Sequence, residues 1–169
     1  MYDKLKDIFL NVNEWLKFAE TKHATLIALN GAALFGLLSS YSNIKEFKGI
    51  EVAIVLGIFL FGISILNSFI SFFPKTSNTI KISNTTRTVN LFFWGHVCAL
   101  TTQQFIIELR TIDSNYNPTK LEEDMMNQII VNSQIVERKY RLFKYSLYSS
   151  TFGITIQLIY LIIKILWHL

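Results

Sequence analysis

Residues Ile50–Phe73 read IEVAIVLGIFLFGISILNSFISFF and carry a single charge, Glu51, at one edge. Two further stretches of this kind lie at Ala24–Tyr41 and Tyr145–Ile163, and neither contains Asp, Glu, Lys or Arg. At ~1.5 Å of rise per helical residue, each stretch is long enough to cross a hydrocarbon core of ~30 Å. The sequence therefore predicts three transmembrane helices.

The composition agrees with a membrane protein, since 51% of the residues are hydrophobic and only 17% are charged. Soluble domains carry charge on about a quarter of their residues. A charged segment precedes the first apolar stretch and no small-x-small site follows it, so we expect the first span to be retained rather than cleaved. The single cysteine, Cys98, excludes an intrachain disulfide and a cysteine-rich metal site.

We predict an all-α membrane protein with an N-terminal transmembrane hairpin, a C-terminal span, and a cytosolic helical region between spans two and three. The short turn at Ser42–Gly49 makes the first two spans antiparallel neighbours. The predicted divisions are an amphipathic cytosolic helix at 1–23, the hairpin at 24–73 with spans at 24–41 and 50–73, the cytosolic region at 74–144, and the third span with a C-terminal anchor at 145–169.

The central region contains two predicted helices. The first covers Asn90–Leu109, and Thr119 with Glu122 forms a capping box that begins the second. Along the second helix, apolar residues recur at intervals of three and four from Met126 to Phe143, a seam that continues into the third span. We expect this helix to run unbroken into the bilayer.

Polar and small residues inside the spans predict helix packing. The amides of Asn30, Asn67 and Gln157 each need a partner in lipid, so each is expected to bond to another helix or to line a wet cavity. Small residues spaced by four favour close helix contact within the chain or between chains. They are Ala28, Ala32 and Gly36 in the first span, Ala53 and Gly57 in the second, and Ser149 and Gly153 in the third.

Lys and Arg residues are concentrated before the first span and between the second and third spans. Because cytoplasmic loops retain positive charge, we predict a cytoplasmic N-terminus and a periplasmic C-terminus. The net charge of +4 follows from this distribution and gives no reason to expect nucleic-acid binding.

The sequence contains no catalytic signature, because it lacks glycine-rich phosphate loops, H-E-x-x-H and G-x-S-x-G. The histidines His23, His96 and His168 are far apart in the sequence. We therefore predict that the protein is not an enzyme, with no catalytic residues, no metal site and no cofactor.

Three segments resemble the Pycsar transmembrane effectors of bacterial antiphage defence. The stretch Phe18–Gly31 (FAETKHATLIALNG) resembles the acidic-x-Lys and Asn-Gly pattern that opens the first span of that family. Leu91–His96 (LFFWGH) is similar to its aromatic, glycine-containing cytosolic element, and Gln128–Arg141 (QIIVNSQIVERKYR) is similar to its last cytosolic helix. The matching positions are Glu20, Lys22, Asn30, Gly31, Phe92, Phe93, Gly95, Lys139 and Tyr140.

The resemblance implies an effector of the bacterial inner membrane. In that family a partner cyclase makes a cyclic pyrimidine nucleotide, cyclic CMP or cyclic UMP, and the effector responds by impairing the membrane and halting growth. A site for such a ligand requires cations for a phosphate and an aromatic face for a base. The candidate ligand-binding residues are Arg87, Trp94, His96, Arg138, Lys139 and Arg141. The expected partners are the nucleotide, the lipid bilayer and further copies of the chain.

Two other classes of function remain open at this point. One is a constitutive membrane scaffold or accessory subunit that binds a protein partner through the Met126–Phe143 seam. The other is an ungated, holin-like pore. An enzyme that acts on lipid fits less well, because no nucleophile and base occur at compatible positions near an interface.

Overall fold

The computed structural model describes residues 1–41, 48–73 and 89–167, and all regular structure within these ranges is helical. The helices in chain order are α1 (Tyr2–Tyr41), α2 (Lys48–Ile70), α3 (Trp94–Val97), α4 (Thr102–Ile112) and α5 (Lys120–Trp167). Three of them, α1, α2 and α5, are long and apolar enough to cross a membrane. The predicted all-α class with three spans is confirmed. The predicted turn at Ser42–Gly49 falls largely outside the described residues.

The predicted single helix at Asn90–Leu109 is wrong, because the chain forms α3 and α4 with a break between them. Thr101 causes the break, since its backbone is extended and its side chain caps α4. The Thr101 hydroxyl accepts from the Gln104 backbone N–H at 3.2 Å, and the Gln104 side-chain oxygen accepts from the Thr101 N–H at 2.9 Å. This reciprocal capping box begins a helix and cannot form inside one.

The capping box predicted at Thr119 and Glu122 is confirmed at the start of α5. The Thr119 backbone N–H donates to the Glu122 carboxylate at 2.9 Å, and the Glu122 N–H donates to the Thr119 hydroxyl at 3.4 Å. The bond from the Thr119 backbone lowers the pKa of the Glu122 carboxyl group, so the capping group is charged at neutral pH.

The chain forms two compact units. Unit 1 comprises Met1–Ala19 with Pro74–Tyr140, and unit 2 comprises Glu20–Phe73 with Arg141–Leu169. The helices α1 and α5 each contribute one part to unit 1 and the other part to unit 2 without an interruption in either helix.

The core of unit 1 is apolar. It is built from three sets of residues at helical spacing: Leu5, Ile8 and Val12 of α1, Phe105, Ile106 and Leu109 of α4, and Met126, Ile129 and Val136 of α5. Burial of each such side chain stabilises the fold by roughly 1.5–3 kcal/mol. The predicted seam from Met126 to Tyr140 therefore packs into this core, whereas Phe143, its last residue, belongs to unit 2.

Unit 2 has the opposite arrangement, with apolar side chains outside and polar side chains inside. Phe35 is 73% exposed, and Phe59 and Phe152 are each 64% exposed. His23, Asn30 and several serines are buried. Such a distribution suits helices in lipid, where an apolar exterior costs nothing and polar groups must find partners inside. Unit 2 therefore has the side-chain distribution expected of helices in a membrane.

Candidate functional site

Five aromatic side chains meet in unit 1, and we call them the aromatic cluster: Trp15, Phe93, Trp94, His96 and Tyr140. The Trp94 and Tyr140 rings stack with 5.0 Å between centroids, and Trp15 meets Tyr140 edge-on at 6.2 Å. Phe93 packs against Trp94 at 5.3 Å and against His96 at 5.1 Å. Trp15 of α1, the α3 segment and α5 are thereby joined.

Local hydrogen bonds hold the segment that carries Trp94. The Asn90 side-chain oxygen accepts from the Phe92 N–H at 2.9 Å, and His96 Nδ1 accepts from the Asn90 N–H at 3.1 Å. The Asn11 side chain of α1 donates to the Phe92 carbonyl at 2.7 Å. Because Nδ1 of His96 is an acceptor, that imidazole has a structural role in this geometry.

Gly95 leaves space for the Phe93 ring in the same packing. A Cβ at this position would lie 2.6 Å from the Phe93 ring, closer than carbon atoms approach one another. The glycine in LFFWGH therefore lets the Phe93 ring fold over the start of α3.

A shallow surface cavity of about 300 Å³, largely open to solvent, lies beside the cluster and is lined by Asn11, Glu14, Trp15 and Phe18 of α1. The sequence analysis did not select this position. The four residues recur at intervals of three, one and three, so they lie on one face of α1. That spacing could have indicated from the sequence that their side chains line a common surface. Glu14 gives the cavity a negative charge, which disfavours a phosphate and leaves an apolar or basic group as the better occupant.

The predicted cations are only partly brought together. Lys139 is 7% exposed and Arg138 is half-buried, and both precede Tyr140 in unit 1. Arg141 is exposed and belongs to unit 2. Arg87 lies outside the described residues. The structure thus places Trp94 and His96 in one cluster and places Arg138 and Lys139 on the helix that supplies Tyr140.

Unit 2 contains a second constellation, which we call the polar interior: Asn30, Ser64, Ser68, Ser146 and Ser150. Asn30 donates to the Ser64 hydroxyl at 2.7 Å and accepts from Ser150 at 2.6 Å. Ser64 donates to the Ser146 carbonyl at 2.7 Å, and Ser68 donates to the Ser146 hydroxyl at 3.1 Å. The network joins α1, α2 and α5, which confirms that Asn30 bonds to another helix.

Two of the three small-residue faces contact another helix of the same chain. Gln157 donates to the Ala53 carbonyl at 2.6 Å beside Gly57, and Ser149 donates to the Leu60 carbonyl at 2.7 Å near Gly153. The third face is different. Ala28, Ala32 and Gly36 are exposed, and no described atom lies within 4 Å of a Cβ built at Gly36.

Cys98 is buried in unit 1, and burial is the main cause that raises its pKa to about 11. Repulsion from Glu137 acts in the same direction. A thiol with so high a pKa is almost fully protonated at neutral pH, so it is a poor nucleophile.

A family model described as the Pycsar effector protein domain matches residues 4–166. The chain belongs to the Pycsar effector family. The match covers both units, and it confirms the resemblance that the three short segments carry. No curated protein and no solved structure is significantly similar to this chain. Family membership indicates a role in antiviral defence, and the three apolar helices agree with a membrane location.

The residues that match the Pycsar pattern fall into two groups. Phe92, Phe93, Gly95, Lys139 and Tyr140 lie in unit 1, and Glu20, Lys22, Asn30 and Gly31 lie in unit 2. Asn30 is the centre of the polar interior. The two groups therefore lie in different units, the first around the aromatic cluster and the second among the spans.

Proposed function

We propose that this Pycsar effector binds a cyclic pyrimidine nucleotide, cyclic CMP or cyclic UMP, through unit 1. Binding then causes copies of the chain to assemble through unit 2, which impairs the bacterial inner membrane and arrests growth. The observation that carries the proposal is the continuity of α1 and α5, because each helix serves both units without a break. A continuous hydrogen-bonded helix transmits a displacement along its axis.

The aromatic cluster and the cations near it supply the chemistry for such a ligand. Phe92 and Phe93 present exposed ring faces on which a base can stack, an interaction worth ~1–3 kcal/mol per base. Arg138 and Lys139 can pair with the cyclic phosphate through charge-assisted hydrogen bonds. The negative charge of Glu14 suits a hydrogen-bond donor of the base, either the amino group of cytosine or the N3–H of uracil, better than the phosphate.

Assembly follows from differential affinity. A nucleotide that binds the assembled form 100-fold more tightly than the resting form shifts the equilibrium by ~2.7 kcal/mol per protomer. The exposed face of Ala28, Ala32 and Gly36 supports contact between copies, because small residues let helix backbones approach closely in lipid.

The proposed orientation places the N-terminus and unit 1 in the cytoplasm and the C-terminus in the periplasm. It rests on the excess of Lys and Arg in the segments assigned to the cytoplasm. A cytoplasmic unit 1 is also where a nucleotide made inside the cell would be found.

Thermal unfolding of the detergent-purified protein with a panel of cyclic nucleotides tests the binding step. A ligand at 100 times its dissociation constant stabilises the folded protein by ~2.7 kcal/mol, so cyclic CMP or cyclic UMP should raise the melting temperature while linear CMP and UMP should not. The scaffold hypothesis expects no shift with any nucleotide. The absence of a shift across the panel would contradict the sensing role.

A further inference from the structure

The buried residues of unit 2 are mostly polar. Within its described part, the buried polar side chains are His23, Asn30, Ser64, Ser68, Ser71, Ser146 and Ser150, whereas the buried apolar ones are Leu26, Ile54 and Phe61. Ionisable residues inside a membrane domain often mark a path for ions or substrates, and His23 is the ionisable member of this set. Serine and asparagine also form the interhelical hydrogen bonds that hold membrane helices together.

The polar side chains form a line along the helices, and the buried Phe61 ring interrupts it at Gly153, between Ser150 and Gln157. Ser64, Ser68 and Ser71 recur at intervals of four and three on α2 and the turn after it, and on α5 Ser146 and Ser150 are followed by Gln157. From Ser146 to Gln157, α5 rises about 16 Å, which is roughly half of the hydrocarbon thickness.

Three aromatic rings meet at the end of this line that contains Ser71 and Ser146. His23 of α1 meets Phe143 of α5 edge-on at 5.7 Å and Phe72, which follows α2, at 6.2 Å. We call these three rings the collar. It lies where α1 and α5 enter unit 2, close to Glu20 and Arg141.

We propose that the polar interior is a closed route for water and small ions, which opens when the collar separates. The inference rests on the proposed membrane-impairing function and names the path by which solutes cross. In the closed state the hydroxyl and amide groups satisfy one another across α1, α2 and α5. When the helices move apart, water replaces these bonds at small enthalpic cost, whereas an apolar interior would stay dry.

Thiol accessibility in proteoliposomes tests the route without a nucleotide. In a Cys98→Ser background, Ser146→Cys places a thiol in the polar interior, and Thr151→Cys is the matched control on the exposed side of α5. Each is combined with Phe143→Ala, which removes the α5 ring of the collar. The reagent is a charged, water-soluble methanethiosulfonate.

We expect Phe143→Ala to accelerate modification of Ser146→Cys at least about tenfold, to leave Thr151→Cys unchanged, and to raise potassium efflux from the liposomes. An unchanged rate at Ser146→Cys, or an equal increase at both positions, would overturn the route. Phe72→Ala is the second collar variant, so the test stands if Phe143→Ala does not elute as a folded protein in detergent.

A parallel arm with cyclic CMP and cyclic UMP separates this inference from the proposed function. If no nucleotide causes leakage but the collar variants expose Ser146→Cys, the route holds and the sensing proposal fails. If a nucleotide causes leakage while Ser146→Cys stays as unreactive as Thr151→Cys, sensing holds and the route is wrong.

Discussion

The indole of Trp94 lies nearly parallel to the phenol ring of Tyr140, with an interplanar angle of 18° and 5.0 Å between ring centroids. The pair joins α3 to α5 at the position where α5 leaves unit 1. A ligand that contacts Trp94 therefore acts directly on α5.

Replacing Tyr140 tests that connection. Tyr140→Ala removes the stacked ring and should lower the free energy of unfolding by roughly 3 kcal/mol, as expected for truncation of a packed aromatic side chain. It should also abolish stabilisation by the nucleotide. Tyr140→Phe keeps the ring and should preserve both properties in thermal unfolding. If Tyr140→Phe were as damaging as Tyr140→Ala, the hydroxyl rather than the stack would be the important group.

The role of the cations is tested by the double variant Arg138→Ala with Lys139→Ala. Loss of a charge-assisted contact to phosphate should weaken nucleotide binding about tenfold or more in a calorimetric titration. The control is Lys4→Ala with Lys6→Ala, which removes the same charge from exposed positions of α1. Unchanged affinity in the Arg138 and Lys139 variant would exclude both cations from the site.

Gly57 and Gly62 form a matched pair on α2. A Cβ at Gly57 would collide with the Gln157 amide and lie 2.9 Å from Leu37, whereas no described atom lies within 4 Å of a Cβ at Gly62. Gly57→Ala should therefore separate α2 from α5 and lower resistance to unfolding in detergent, and Gly62→Ala should be neutral or slightly stabilising. Equal behaviour of the two variants would contradict the described α2–α5 contact.

Asn30 makes two interhelical hydrogen bonds, one to Ser64 and one to Ser150. Interhelical hydrogen bonds in membranes contribute ~0.6 kcal/mol on average and up to ~1.7 kcal/mol. Asn30→Ala should therefore destabilise unit 2 by roughly 1–3 kcal/mol in a detergent unfolding assay. Asn67→Ala, a half-buried amide on α2, is the control and should have the smaller effect.

The reactivity of Cys98 depends on its raised pKa. Because the pKa rises from 9.0 to about 11, the thiolate fraction near pH 7.5 falls about 100-fold, and the rate of alkylation should fall with it. The rate should increase about tenfold per pH unit up to the pKa. The urea-denatured chain is the control, and a native rate equal to the denatured rate at pH 7.5 would show that the thiol is not buried.

The sequence predicted the parts of the fold that depend on local or repetitive signals. Three long uncharged stretches predict three spans, and Thr119 with Glu122 predicts the start of α5. Val97, Leu100, Gln104 and Ile107 recur at intervals of three and four, so they predict one continuous helix. The break before α4 was missed because Gln104 fits that pattern, which concealed its role in the Thr101 capping box.

The site was less predictable because it depends on contacts between distant residues. Trp94 was predicted as a ligand-binding residue and Tyr140 as a position that matches the family, but no local pattern predicts that their rings stack on each other. The hydrogen-bond partners of the serines could not be predicted from the sequence either. The hydroxyl of Ser40 bonds to the carbonyl of Gly36 in its own helix, whereas Ser64 bonds across to α5, and only the packed helices distinguish the two.

The proposed contact between copies is tested by a variant in the exposed small-residue face of Ala28, Ala32 and Gly36. Gly36→Leu should prevent nucleotide-dependent crosslinking of the protein in liposomes, since a large side chain keeps helix backbones apart. Gly62→Leu is the control. It adds the same side chain to α2, at a position where no described atom lies within 4 Å of a Cβ, and it should leave crosslinking unchanged. Normal crosslinking of Gly36→Leu would show that the copies meet through a different surface.

The most direct test of the account is leakage from sealed proteoliposomes that contain the purified wild-type chain. A trapped dye and potassium are measured together after cyclic CMP, cyclic UMP or a linear nucleotide is added outside. The account predicts release only with a cyclic pyrimidine nucleotide, with no release from empty liposomes or with the linear nucleotide. Release that is equal with and without nucleotide, or no release under any condition, would contradict a nucleotide-controlled membrane effector.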